Sequence, residues 1–255
     1  MGTVRSDDRD GGVRVLTLDR PPANAIDETL LVDLGDALRA AREDASVRAV
    51  VLTGAGKFVS AGFDLTSPPR NIEEAKRIRE LYRETHADLL AFPKPTVALM
   101  HGHAIAGGLV LVLACDYRLG AEGEYKIGLN ELAIGAAYPR VAFEIVRLRL
   151  THARASELLL GASLYPSSQA IRLGVVDEIL PADTCAATAL RRASRLGAFP
   201  REPYAATKAA LVEDALARVR AETPAQEEAS AALWTTDESR AARAAQRAKL
   251  FPDRA

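Results

Sequence analysis

The sequence contains little cysteine, carries almost no net charge and lacks a long apolar run. Among its 255 residues the only cysteines are Cys115 and Cys185, which argues against a disulfide framework and favours a reducing compartment. A net charge of −1 provides no broad electrostatic attraction to nucleic acid or anionic lipid. No segment approaches the roughly 20 apolar residues of a membrane span, and residues 1–8 lack the apolar core of a secretory signal. We therefore expect a cytoplasmic protein with no nucleic-acid or membrane partner.

Short apolar segments alternate with helical and glycine-rich ones, which predicts an α/β fold. Asp27 suits the N-cap of a helix whose apolar positions recur at helical spacing. A wholly apolar helix follows Gly107 and ends at Cys115, which we interpret as a buried small hydrophobe. From about Val141 onward the pattern is helical and rich in alanine. Strand, glycine turn and helix in succession favour a spiral or layered arrangement. The strand candidates are Val13–Leu18, Ala49–Thr53, Thr96–Met100 and Asp116–Leu119.

Two glycine-rich turns, at residues 54–62 and 101–108, follow strand candidates. Such turns present backbone N–H groups without side-chain obstruction, and the first turn of a helix leaves such donors unpaired. Two of these ends converging on one point could hold a single oxygen that becomes negative during a reaction. Each turn alone is a weak signal, because most glycine turns only reverse the chain.

Five blocks of the sequence share their order with one known family. They include an Arg-Pro-x-x-Asn-Ala segment at residues 20–25 and a glycine-rich signature ending in Gly62-Phe63-Asp64. The others are Pro93–Ala98, Gly102–Gly108 with Ala114–Asp116, and Leu173–Glu178. From about Val13 to its C-terminus the sequence therefore resembles the enoyl-CoA hydratase/isomerase (crotonase) family.

The resemblance implies a fold and a ligand. The expected fold is a spiral of repeated ββα units that forms two roughly perpendicular sheets over residues 1–195. Residues 196–255 would form a helical region that serves assembly as a homotrimer or a dimer of trimers. The partner would be an acyl-CoA or enoyl-CoA thioester, with no separate cofactor because coenzyme A is part of the substrate.

The same resemblance assigns a substrate site. The thioester oxygen would accept hydrogen bonds from the backbone N–H groups of Phe63 and Gly107. Arg20 and Lys249 are candidates to meet the diphosphate of coenzyme A, and Asp64 suits a cap where a helix begins. The substrate-binding residues would be Ala23, Asn24, Ala25, Ala61, Gly62, Phe63, Asp64, Leu65, Gly108 and Val110.

Chemistry beside the thioester carbonyl also needs a group that moves a proton. The hydratases of the family carry a first glutamate three residues after the oxyanion glycine, and that position is Val110 here. The second glutamate is present as Glu131 in a Gly-x-x-Glu pattern. Its neighbours Leu129, Leu132 and Ile134 would raise its pKa, which suits a base that also returns a proton. One carboxylate beside an oxyanion clamp resembles the Δ3,Δ2-enoyl-CoA isomerases.

Several alternatives stay open at this point. Glu144 could be a second carboxylate in the pocket or an ion-paired residue near Arg140 and Arg147. Tyr138 could face the acyl pocket or pack in the core. Isomerisation through Glu131 is the leading hypothesis, with enoyl-CoA hydration, acyl-CoA binding without catalysis and thioester hydrolysis as rivals. No metal site is predicted, because His101 and His103 have no third ligand nearby.

Overall fold

Ten strands form two sheets in the part of the chain that the computed structural model describes, residues 2–67 and 69–250. Strands and helices are numbered here along the chain. The larger sheet contains, in spatial order, β1 (Val4–Arg9), β2 (Val13–Leu18), β3 (Ala49–Gly54), β5 (Thr96–Met100), β7 (Tyr117–Ala121) and β10 (Glu178–Leu180). The smaller sheet contains β4 (Phe58–Ser60), β6 (His103–Ile105), β8 (Lys126–Gly128) and β9 (Leu164–Pro166). Only the pairs β1–β2 and β8–β9 are antiparallel among these strands.

The chain repeats a ββα plan, which confirms the predicted fold class. In each repeat the first strand joins the larger sheet and the second joins the smaller one, as in β3–β4, β5–β6 and β7–β8. A helix then returns the chain to the next repeat. The first helices are α1 (Glu28–Glu43), α2 (Ile72–Leu90), α3 (Gly107–Ala114), α4 (Arg140–Arg149) and α5 (His152–Gly161). The later ones are α6 (Ala170–Leu173), α7 (Ala182–Gly197), α8 (Arg201–Arg220), α9 (Pro224–Leu233) and α10 (Asp237–Leu250).

Two of the helices confirm specific expectations from the sequence. The Asp27 side chain accepts from the N–H of Leu30 at 2.9 Å and so caps α1. All eight residues of α3 are buried, and Cys115 directly after them is buried too. Burial raises the pKa of the Cys115 thiol to about 12, so the thiol stays protonated and acts as a hydrophobe. The α1 residues buried in the core are Leu30, Leu31, Leu34, Leu38 and Ala41.

Charged side chains link the C-terminal helices to the rest of the chain. The predicted boundary between residues 195 and 196 lies within α7, which packs on β3, β5 and β7. The buried Lys208 of α8 donates to the part-buried Asp116 at 2.8 Å, beside the start of β5. Arg83 of α2 donates to Glu227 of α9 at 3.3 Å. Among the described residues, no helix is both long and apolar enough to cross a bilayer.

Candidate active site

Two segments far apart in sequence run side by side at the edge of the site. The N–H of Ala61 donates to the carbonyl of Ala23 at 3.0 Å, and the N–H of Ile26 donates to the carbonyl of Gly62 at 2.8 Å. The N–H of Asp64 then donates back to the carbonyl of Ile26 at 2.9 Å. These bonds bring together both segments that the sequence assigned to coenzyme A. They leave the N–H of the intervening Phe63 outside the ladder.

The side chain of Asn24 holds this corner of the chain together. Asn24 adopts the left-handed backbone conformation, with φ of 50°, which asparagine tolerates better than most residues. Its amide group donates to the carbonyls of Ala55 at 3.0 Å and Phe58 at 2.8 Å, and its oxygen accepts from the N–H of Arg20 at 2.9 Å. The side-chain amide is therefore occupied by the protein, and only the backbone around it is left to meet a ligand.

Asp64 caps a turn and not a helix, which corrects the expectation from the sequence. Its carboxylate accepts from the N–H of Thr66 at 2.8 Å and from Arg20 at 2.7 Å. The next helix, α2, begins only at Ile72, and Asn71 is its N-cap. Aspartate favours both settings because its short side chain reaches backbone N–H groups two or three residues on. The sequence pattern therefore could not distinguish the two.

Arg20, one of the two residues suggested for the diphosphate, is already paired with carboxylates. The Arg20 guanidinium lies 2.9 Å from Asp27 and 2.7 Å from Asp64, so two carboxylates already neutralise it. A diphosphate would have to compete with both. Lys249 falls in α10, and its side chain lies outside the described residues.

Glycines allow the turn before Phe63 to approach the start of α3. Gly62 has φ of 79°, and a β-carbon built there would lie 2.7 Å from Cβ of Ala106 and 3.2 Å from N of Gly107. At Gly108 a β-carbon would lie 2.4 Å from the carbonyl oxygen of Ser60. Any larger residue would force the two segments apart. The glycines thus bring the two predicted donor turns into direct contact.

Both predicted donors have a backbone N–H that is not used within the described part of the chain. Gly107 is the first residue of α3, and the first bonds of that helix come from Leu109 and Val110 to the carbonyl of Ala106. The N–H of Phe63 is left out of the ladder described above. The positive end of the α3 dipole adds to the field at this point. Convergence of both N–H groups on one ligand oxygen stays a prediction.

Glu131 is a buried carboxylate that has one unpaired oxygen and lies beside the Tyr138 hydroxyl. It directly precedes a single 3₁₀ turn, Leu132–Ile134, and is 7 % exposed. One carboxylate oxygen, Oε2, is buried and unpaired. Burial raises the pKa of Glu131 to about 7, since removal from water penalises the charged form. Leu129 and Ile134 are buried nearby as expected, but Leu132 is 44 % exposed and points away from the core.

Three further side chains bear on which chemistry is available. Val110 is fully buried in α3, at the position of the first hydratase glutamate. Glu144 accepts from Arg218 at 2.7 Å, which favours the ion-paired alternative over a second carboxylate in the pocket. Tyr138 lies beside Glu131 and donates its hydroxyl proton to the carbonyl of Leu159 at 3.0 Å. Glu131 is therefore the one uncommitted carboxylate among these candidates.

The two histidines of the second glycine turn have structural partners. His101 lies 3.2 Å from Thr53 Oγ1 and 3.1 Å from the carbonyl of Gly56, while His103 Nδ1 accepts from the N–H of Lys126 at 3.0 Å. Within residues 2–67 and 69–250, no three histidine, cysteine, aspartate or glutamate side chains are grouped as metal ligands would be.

Two residues of α2 that the sequence did not single out lie beside Phe63 and Gly107. The Tyr82 ring stacks on Phe63 with centroids 4.8 Å apart, and on His86 at 3.8 Å. His86 Nδ1 is 2.8 Å from the carbonyl of Tyr82, and Nε2 is 3.4 Å from that of Gly107. Burial lowers the pKa of His86 to about 4, so its ring is neutral. The spacing of Tyr82 and His86 along the sequence could have predicted that both are core residues. It could not have predicted that they lie next to Gly107.

Comparison with known proteins agrees with this geometry. The profile of the enoyl-CoA hydratase/isomerase family matches residues 8–249. The chain belongs to the enoyl-CoA hydratase/isomerase family. The match covers both glycine turns and Glu131, so the site described above lies within the family's own domain.

Relatives within the family are named both as hydratases and as isomerases. A probable enoyl-CoA hydratase of Bacillus subtilis is 35 % identical over 167 residues, 64 % of either chain. The human mitochondrial enoyl-CoA delta isomerase 1 is 32 % identical over 210 residues, covering 79 % of this chain and 68 % of the relative. The 2,3-dehydroadipyl-CoA hydratase of Escherichia coli is 31 % identical over 200 residues, 78 % of each.

The fold extends over the whole chain in one solved structure. The human mitochondrial delta3-delta2-enoyl-CoA isomerase superposes with a TM-score of 0.93 at 26 % identity, covering 99 % of this chain and 100 % of that one. This similarity includes the C-terminal helices α8 to α10. It supports the crotonase fold throughout, while the choice between the two chemistries rests on the site.

Proposed function

We propose that the protein is an enoyl-CoA isomerase that moves a 3-enoyl double bond to the 2-position, with Glu131 as the proton carrier. The carboxylate removes a proton from C2 of the thioester, which gives a dienolate. The same carboxyl group then returns a proton at C4. One group suffices, because no water has to be positioned or activated.

The buried carboxyl of Glu131, with its unpaired Oε2, is the observation that carries this proposal. A pKa of about 7 keeps the base and its conjugate acid both accessible near neutral pH, which favours a group that must both take and give a proton. Ordinary structural carboxylates of this depth have donors around them. Glu144 also has one buried oxygen without a hydrogen bond, but its other oxygen accepts from Arg218, whose charge neutralises the carboxylate.

The dienolate needs stabilisation at the thioester oxygen. The N–H groups of Phe63 and Gly107 are the proposed donors, because both are free and the glycines bring their turns together. The dipole of α3 and the exclusion of water would strengthen both hydrogen bonds. No cofactor takes part in this proposal, since coenzyme A is part of the substrate.

Coenzyme A is proposed to lie along the paired segments, residues 23–25 and 61–65. Their backbone ladder forms a continuous edge that leads to Phe63, which would place the thioester at the clamp. The acyl chain would then pass Val110 and Gly108 on α3. Assembly as a homotrimer or a dimer of trimers, through the helical region from residue 196 onward, remains a proposal as well.

Hydration is the second candidate, because relatives such as the Bacillus subtilis protein are named hydratases. The local chemistry supports it less. A hydratase of this family uses two glutamates about one water, whereas Val110 replaces the first and Glu144 is paired with Arg218. An acyl-CoA-binding protein without catalysis would need no base, and it would leave the buried Glu131 unexplained.

The proposal is tested by incubating the protein with 3-enoyl-CoA and, separately, with 2-enoyl-CoA. Products are separated by chromatography and identified by mass. An isomerase converts the 3-enoyl to the 2-enoyl isomer with no change of mass, whereas a hydratase adds the mass of one water. Tight binding of both thioesters without any product would favour the binding protein. Free coenzyme A as the product would indicate thioester hydrolysis.

A further inference from the structure

The hydroxyl group of Tyr82 lies against the first residue of α3. Tyr82 is 1 % exposed, and its ring is fixed between Phe63 and His86. A β-carbon built on Gly107 would lie 3.2 Å from the Tyr82 hydroxyl oxygen. The hydroxyl therefore occupies the space that a side chain at Gly107 would otherwise fill.

The Tyr82 hydroxyl also lies close to the backbone N–H of Gly107, because the nitrogen and a β-carbon are bonded to the same Cα. The N–H groups of the first turn of a helix are unpaired and point toward its N-terminus. A ligand oxygen that accepts from the Gly107 N–H would therefore lie near the Tyr82 hydroxyl. The stacked ring of Phe63, the other proposed donor, holds Tyr82 in place.

The hydroxyl is free to donate a hydrogen bond. Among the side chains that the structure describes, none accepts from this hydroxyl or donates to it at hydrogen-bonding distance. Its oxygen is not among the fully buried unpaired side-chain atoms of the described residues, so it keeps some exposure to solvent. Burial, together with the negative charge of Glu131, raises the pKa of Tyr82 well above 10. The group therefore keeps its proton at any pH at which the protein would work.

We propose that the Tyr82 hydroxyl is a third hydrogen-bond donor to the thioester oxygen, beside the N–H groups of Phe63 and Gly107. This inference rests on the proposed function, since it requires an acyl thioester at the clamp. A third donor would strengthen as the oxygen becomes negative in the dienolate, and so would lower the barrier to proton removal. Tyr82 would then be a catalytic residue that touches the substrate.

The test removes the hydroxyl and keeps the ring, in Tyr82→Phe. Tyr117→Phe is the matched control, because Tyr117 donates to Glu178 in a separate core cluster. The carbonyl of a saturated acyl-CoA labelled with ¹³C at C1 is followed by infrared difference spectroscopy, since each hydrogen bond to that oxygen lowers its stretching frequency. Affinities for this acyl-CoA and for a thioether analogue without the carbonyl oxygen are measured in parallel.

In the wild-type protein and in Tyr117→Phe, the bound carbonyl should absorb at the same lowered frequency. In Tyr82→Phe the frequency should rise toward that of free acyl-CoA, and acyl-CoA affinity should fall about tenfold. Thioether affinity should not change. The turnover number for 3-enoyl-CoA should fall about 10²-fold, as expected for the loss of one donor to an oxyanion.

An unchanged carbonyl frequency in Tyr82→Phe would overturn the proposal. Equal losses of affinity for the thioester and the thioether would also overturn it, because they would indicate a packing role. If the wild-type protein itself failed to lower the carbonyl frequency, the clamp and the proposed function would fall with it. A carbonyl frequency that is lowered in the wild type and lowered equally in Tyr82→Phe would instead overturn only the role of the hydroxyl.

Discussion

Replacing Glu131 with glutamine should slow isomerisation and, above neutral pH, should stabilise the folded protein. Glutamine has nearly the shape of glutamate but cannot accept the C2 proton. General acid–base catalysis contributes roughly 10²–10⁴-fold, so the rate of 3-enoyl to 2-enoyl conversion should fall by about that factor. Acyl-CoA affinity should stay within about tenfold, corresponding to at most about 1.4 kcal/mol, because the clamp and the coenzyme A contacts lie on other residues.

The effect on stability follows from the raised pKa of Glu131, which burial moves from 4.5 to about 7. Between these two values the folded protein binds a proton that the unfolded chain has released. The free energy of unfolding therefore falls as pH rises through this window, and the whole penalty is present above pH 7. At about 1.4 kcal/mol per pKa unit, this penalty is about 3 kcal/mol. A neutral glutamine does not incur it.

Urea unfolding of both proteins at pH 5 and pH 8 measures this difference. Relative to the wild type, Glu131→Gln should gain up to about 3 kcal/mol between pH 5 and pH 8. Glu157→Gln is the matched control. Hydrogen bonds from Arg172 and Arg154 lower the pKa of Glu157 from 4.5 to about 2, so it is fully ionised in the folded protein at both pH values and already mostly ionised in the unfolded chain at pH 5. Its effect on stability should be nearly the same at pH 5 and pH 8.

Two results would contradict these predictions for Glu131. If the stability difference between Glu131→Gln and the wild type were the same at pH 5 and pH 8, the carboxyl would not have a raised pKa. If Glu131→Gln kept full isomerase activity, another group would move the proton. Glu144 would then become the next residue to replace.

Three other substitutions test separate parts of the structure. Val110→Ala should keep the isomerase rate within a few-fold, because no proton passes through that side chain. The same change should destabilise the protein by about 2 kcal/mol, because Val110 is buried in α3. A tenfold loss of rate would contradict the first expectation. Gly62→Ala should lower kcat/KM at least tenfold, which corresponds to about 1.4 kcal/mol. The reason is that Gly62 has φ of 79° and that a β-carbon there would lie 2.7 Å from Cβ of Ala106, which leaves no room for a methyl group. Wild-type kinetics in this variant would show that the clamp tolerates displacement. Asp27→Ala should cost about 1 kcal/mol in urea unfolding through loss of the α1 cap, and no change in the midpoint would mean that the cap does not stabilise the helix.

Local patterns in the sequence were enough to predict much of the fold. The apolar stripe of α1, its cap at Asp27 and the apolar helix α3 are all confirmed, because each depends on residues close in sequence. The ββα repetition followed from the family resemblance and is also confirmed. The boundary before residue 196 fell inside α7, since the sequence does not reveal that this helix packs on the larger sheet.

The site was harder to predict, because it is built from long-range contacts. Glu131 and the two glycine turns came from motifs, but the exposure of Leu132 and the turn capped by Asp64 did not match expectation. Tyr82 was not identified at all. It lies 25 residues before Gly107 on a helix whose buried face has an ordinary core pattern, and only the folded chain brings its hydroxyl to the start of α3.

Isomerisation of 3-enoyl-CoA carrying two deuterium atoms at C2 tests most directly whether one shielded carboxyl carries the proton. The reaction is run to partial conversion in ordinary water, and the position of the label in the 2-enoyl-CoA product is read by NMR and mass spectrometry. Because Glu131 is 7 % exposed and its Oε2 has no hydrogen-bond partner among the described residues, we expect part of the deuterium removed from C2 to reappear at C4. Product with no deuterium at C4 would contradict transfer through a single buried group.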